Sequence, residues 1–121
     1  MKTLRLENLL HKKNFEQDMT YKNHWLQRAV KDFDAIYVYY QQVAGEGVAK
    51  RRLSKILQAT DAIAYMPQIG FVDEEFPHIP KYRYLVVLDY KIYYFVEESV
   101  VYIAAIWDCR QGSKAFDVAL S

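Results

Sequence analysis

The chain has 121 residues and a mass of 14.3 kDa, enough for one small domain. Hydrophobic residues make up 52% and charged residues 26%, which argues against a disordered or fibrous chain. Sixteen Lys and Arg against fifteen Asp and Glu leave a net charge of +1, which excludes a strongly basic nucleic-acid coat and a polyacidic tail. The single cysteine, Cys109, rules out an intrachain disulfide and a zinc site built on thiolates. Aromatic residues reach 16%, with eleven tyrosines. Tyr has an apolar body and a polar tip, so this excess points to a semi-wet core or an interface. The apolar runs 84–88 and 100–107 are far short of a membrane span. Residues 1–7 carry no apolar signal core, so a soluble cytoplasmic protein is expected.

Residues 1–18 read as an extension. Leu6, Leu9 and Leu10 form one apolar edge of a short amphipathic helix, which needs a groove on its own domain or on a second copy in a homodimer. Residues 19–121 form the domain proper, and a short edge strand is expected near residues 19–23. From Trp25 a helical period sets in: Trp25, Ala29, Phe33, Ile36, Tyr40 and Val43, with polar residues between them. Gly45 and Gly47 break that helix and allow a tight turn. A second stripe follows, Ala49, Leu53, Ile56, Leu57, Thr60, Ile63 and Ala64, ended by Pro67 and Gly70. Two helices with so short a link pack as an antiparallel hairpin.

Residues 68–80 read as a loop. After Pro80 the segments 82–88, 90–96 and 100–107 are rich in Val, Ile, Tyr and Phe, the residues that fit a pleated surface. Asp89 marks one turn and residues 97–99 the other, too short for crossover helices, so the strands form an antiparallel meander. Residues 110–121 are expected to add a final helical turn. The architecture is α+β: a two-helix hairpin on one face of a three- to four-stranded antiparallel sheet.

The run Trp25-Leu26-Gln27-Arg28-Ala29-Val30-Lys31-Asp32-Phe33-Asp34-Ala35-Ile36-Tyr37 resembles the first helix of the RelE/ParE superfamily of toxins, which includes plasmid stabilisation proteins. Met66-Pro67-Gln68-Ile69-Gly70 resembles its "P-x-x-G" at the end of the hairpin. Tyr82-Arg83-Tyr84-Leu85 with Tyr90-Lys91-Ile92-Tyr93-Tyr94 resembles its "YR-x-L … Y-x-I-x-Y" signature. Val101-Tyr102-Ile103 leading to Asp108-Cys109-Arg110 resembles the last strand and the basic residue after it. The resemblance spans about residues 19–111 and implies the toxin of a bacterial type II toxin–antitoxin pair, neutralised by a cognate antitoxin. Its two branches imply different targets: RelE-like members are ribosome-dependent mRNA endonucleases, and ParE-like members inhibit DNA gyrase without catalysis.

The RNA-cutting branch needs cations around a scissile phosphate and a group that moves protons. The resemblance carries the catalytic cations onto Arg83, Lys91 and Arg110. Leu85 stands where a further strand lysine is expected, and Phe116 where a tail tyrosine is expected. Residues 19–121 hold twelve cations and twelve acids, so general attraction for phosphate is weak. These departures tilt the reading toward gyrase inhibition. Lys50, Arg51, Arg52 and Lys55 crowd the start of the second helix, the electrostatically unfavourable end for cations. They read either as a solvated face or as a contact for an acidic antitoxin or the target. Cys109 beside Arg110 reads as a small residue at a strand end, although a neighbouring cation favours thiolate. His11, His24 and His78 lack metal-ligand spacing, and no phosphate-binding glycine loop occurs, so no cofactor is expected.

Overall fold

The computed structural model describes residues 20–75 and 81–111. The expectations for residues 1–18, for Phe116 and for the end of the tail lie outside them. The order is β1 (Lys22–Trp25), α1 (Gln27–Ala44), α2 (Glu46–Tyr65), a 3-10 turn (Pro67–Ile69), β2 (Phe71–Val72), β3 (Arg83–Val87), β4 (Tyr90–Glu97) and β5 (Val100–Asp108), closed by a 3-10 turn (Cys109–Gln111). The strands form one sheet in the order β1-β5-β4-β3-β2, antiparallel except where β1 runs parallel to β5.

The sheet therefore has five strands, more than the expected three or four. The additional strand is β2, inside the segment read as loop. Two residues are too few to leave a periodic signal, and β2 exists only because Phe71 and Val72 pair with Tyr84 and Arg83. Trp25 ends β1 and does not start the helix. Leu26 is extended (φ −71°, ψ 157°), and its N–H bonds the Ile103 carbonyl at 2.9 Å. The position of Trp25 fits the helical period because its ring still packs on Phe33, edge to face at 5.4 Å.

Gly45 links the helices as a single residue at φ +92°, in the left-handed region where a side chain is strained. The hairpin buries Ala29, Ile36 and Tyr40 from α1, and Ala49, Ile56, Thr60, Ile63 and Ala64 from α2. Val43 and Leu57 were expected inside, yet they are 61% and 45% exposed. Each sits at the margin of its stripe, where period alone does not separate core from rim.

One face of the sheet meets the helices through Leu85, Val87, Tyr90, Ile92, Tyr94, Val101, Ile103 and Ile106. Ile103 and Ile106 differ by an odd number, which strict alternation forbids on one face. A bulge resolves this: Tyr93 pairs with Ala105 and Tyr94 with Ile103, so Ala104 is the extra residue. Tyr93, Ala105 and Trp107 thereby face the other side, where Tyr82 and Tyr84 pack on them.

The expected turns are present, and Leu88, Glu98 and Ser99 have positive φ (55°, 49° and 66°). Two consecutive left-handed residues match the twist of a two-residue hairpin.

Gly70 is held in a tight lock. Its N–H donates to the Tyr94 hydroxyl at 2.9 Å, that hydroxyl donates to the Pro67 carbonyl at 2.6 Å, and Arg83 Nη1 donates to the Gly70 carbonyl at 2.9 Å. The proline and glycine that end the hairpin are thus sewn to β3 and β4.

Candidate functional site

The three cations expected to act together are separated. Arg83 pairs with Tyr94, which packs toward the helices, whereas Lys91 lies between Tyr90 and Ile92 and so points to the opposite face. Arg83 is occupied by the Gly70 carbonyl. Lys91 Nζ sits 4.4 Å from the Tyr84 ring centroid, a cation–π contact. Arg110 lies beyond β5, clamped on Asp108: Nε to Oδ1 at 2.9 Å and Nη2 to Oδ2 at 2.6 Å.

Arg110 instead belongs to a cleft of about 430 Å³ between α1 and the end of β5. Ile36 and Ile106 line its apolar floor, Trp107 reaches it from the edge of β5 that β1 leaves uncovered, and Arg28, Asp32 and Tyr39 line it as well. Asp32 is the keystone. It accepts from Arg28 Nε at 3.0 and 3.1 Å and from the Ile106 N–H at 2.9 Å, so one carboxylate fixes both a helix side chain and a strand. Arg28 Cζ lies 5.6 Å from the centroid of a Trp107 ring. Asp32 and Asp108 hold the two guanidiniums, Arg28 through Nε alone and Arg110 through Nε and Nη2. The Tyr90 hydroxyl, also in the cleft wall, is pushed above its usual pKa by burial and by its bond with Tyr40. An apolar floor rimmed by two Arg–Asp pairs that neutralise each other fits an apolar side chain flanked by hydrogen-bonding groups.

Arg28 and Asp32 were in the sequence as an i, i+4 pair on the polar side of the helix. Nothing local revealed that Asp32 also reaches the backbone of residue 106.

Arg110 holds the Asp108 carboxyl below the usual carboxylate range. A pKa lower in the folded than in the unfolded chain contributes stability above the unfolded pKa, which is lost as pH falls through the folded one. The unfolding midpoints of the native chain and Asp108→Asn are therefore expected to differ near neutral pH. They should converge as the pH drops below about 4, the ordinary carboxylate value. A difference that persists unchanged in acid rules out the ion pair as its source. The effect is small, because Arg110 is 63% exposed and solvent screens the pair.

The second expected cluster lies at the hairpin tip. Lys50, Arg51 and Lys55 are exposed. Lys50 Nζ lies 3.6 Å from Glu46 Oε2, and Arg52 stacks over Tyr40 at 4.5 Å. Glu46 also accepts the Tyr37 hydroxyl at 2.8 Å, which lowers its own pKa and raises that of Tyr37. Cys109 is exposed, and partial burial of its thiol pushes its pKa up. The neighbouring Arg110, turned toward Asp108, does not act as its activating cation. Among the described residues no group of His, Cys, Asp and Glu could hold a metal ion. No helix among them is long and apolar enough to cross a membrane.

Fold and site together define a small helical-hairpin-on-sheet protein with a preformed cleft and a cationic tip. The profile of the family described as "ParE toxin of type II toxin-antitoxin system, parDE" matches residues 24–112, and the chain belongs to that family. A solved structure from the "Chromosomal ParDE TA system from P. aeruginosa" is similar in fold, with a TM-score of 0.65 and 20% identity over 75% of this chain and 98% of that one. No curated protein matches.

Proposed function

We propose that this chain is the growth-arresting toxin of a type II toxin–antitoxin pair, that a cognate antitoxin neutralises it, and that it acts by ParE-like binding to DNA gyrase and not by cutting RNA. Family membership over residues 24–112 supports the toxin role and the antitoxin partner. The observation that carries the choice of mechanism is the placement of Arg83 and Lys91 on opposite faces of β3 and β4. Phosphoryl transfer draws its rate from charges converging on one phosphate. Here one cation braces Gly70, one stacks on Tyr84 and one is neutralised by Asp108. The cleft between Arg28, Trp107 and Arg110, with its cations already paired to Asp32 and Asp108, is suited to an apolar anchor on an antitoxin arm.

The test compares purified chain on gyrase supercoiling with purified chain on translating ribosomes. Loss of supercoiling with mRNA left intact is the expected outcome. Codon-phased mRNA cuts that disappear in Arg110→Ala overturn it in favour of a RelE-like ribonuclease.

A further inference from the structure

The sequence is almost neutral, yet its charge is not evenly spread. Between Asp34 and Asp61 there are four cations, Lys50, Arg51, Arg52 and Lys55, and one acid, Glu46. That acid is already engaged by Tyr37, Gln41 and Lys50. Arg52 is drawn aside onto Tyr40. Arg51 and Lys55 lie on the outward side of α2, away from its buried residues Ala49, Ile56 and Thr60, and Lys50, shared with Glu46, lies exposed on its flank. They lie in the second and third turns of the helix, with Glu46 as the acid nearest to them on α2.

The same end of the hairpin projects into solvent. All seven residues from Gln41 to Gly47 are exposed, and Val43 among them is 61% exposed. An exposed hairpin end that carries an aliphatic residue before the turn and cations on the helix after it fits a recess in a larger protein. The cleft at Trp107, by contrast, is concave and fits an arm laid across it. A phosphate polymer would find charge here but would gain nothing from an exposed valine, whereas a protein interface gains from both.

We propose that the hairpin tip, Val43 with Lys50, Arg51 and Lys55, is the surface through which the toxin docks on its protein target, and that it meets an acidic recess there. The inference rests on the toxin reading given above.

The test is the double variant Arg51→Glu, Lys55→Glu, with Arg51→Gln, Lys55→Gln as a milder partner. Both positions are exposed, so Tm is expected to hold. Growth arrest on expression, and the amount of protein needed to halve supercoiling by purified gyrase, are measured for each. The charge reversal is expected to weaken inhibition by at least ~10-fold, the neutral variant by less, as for charges that steer a docking surface. Reversal that leaves both readouts within about twofold of the native chain overturns the proposal. So does a mobility shift of single-stranded RNA or duplex DNA that the native chain produces and the reversal abolishes, since the tip is then a nucleic-acid site. If the native chain arrests growth without touching gyrase, the gyrase reading fails, and arrest alone decides: its loss in the reversed variant supports the tip, its persistence overturns it. A native chain that arrests nothing overturns the toxin reading and this inference together.

Discussion

Ile56→Ala is expected to lower the unfolding free energy by about 2–5 kcal/mol, the range for deleting a large aliphatic side chain from a packed core. Ile56 is 0% exposed and lies in the cluster that joins α2 to Ile92, Ile103 and the α1 stripe. Its removal loses the transfer free energy of three carbons and leaves a cavity that rigid neighbours on both layers cannot fill. In a domain whose total stability is roughly 5–15 kcal/mol, that is a large share. The midpoint in urea should fall while the slope of the transition holds. Leu57→Ala, one residue along but 45% exposed, is expected to change the midpoint little. Equal effects at the two positions are incompatible with the helix phase described here.

The second large effect is expected at Gly70. Its φ of −83° is open to any residue, so backbone freedom is not what a side chain would violate. Space is. A Cβ there falls 2.5 Å from the Tyr94 hydroxyl, 2.8 Å from Tyr94 Cε1 and 2.8 Å from the Tyr84 carbonyl oxygen. The phenol is fully buried and anchored between the Gly70 N–H and the Pro67 carbonyl, and the carbonyl belongs to a strand. Neither contact can yield without a shift of β3 or of the 3-10 turn. Gly70→Ala should therefore cost about 1–3 kcal/mol or more, as overpacking does. Tyr94→Phe should cost about 1–3 kcal/mol for a different reason, leaving the buried Gly70 N–H and Pro67 carbonyl without this partner. The double variant should be less destabilised than the sum, because the phenylalanine removes the nearest clashing atom. Strict additivity in denaturant melts would show that the lock is not a unit.

This lock also explains why a short Pro-x-x-Gly and a Tyr-Arg pair are readable as a pattern. Pro67, Gly70, Arg83 and Tyr94 are one hydrogen-bonded assembly, so the spacing records a structural requirement. Arg83 was legible as a special residue from its place beside Tyr82. Its partner was not, because the bond it makes closes over thirteen residues.

Features that depend on neighbours along the chain are legible in residue order alone. Ala29, Ile36 and Tyr40 recur at helical spacing, and Ala49, Ile56, Thr60 and Ile63 do the same, so the hairpin and most of its buried side follow from period. Gly45, Asp89 and Glu98-Ser99 punctuate the elements because turns are local. Features that join residues far apart emerge only when the chain is folded. β2 is defined by its pairing with β3, and the short first strand, expected from residue order, takes its parallel place only through its pairing with β5. The bulge at Ala104 sets which of Ile103, Ala105, Ile106 and Trp107 faces the helices, and it arises from the register against β4. The β3–β4 register sends Arg83 and Lys91 to opposite faces, and helix–strand packing brings Arg28 to Trp107 and Asp32 to the Ile106 N–H. A one-residue change in pairing moves a side chain across the sheet, and no local pattern encodes that choice.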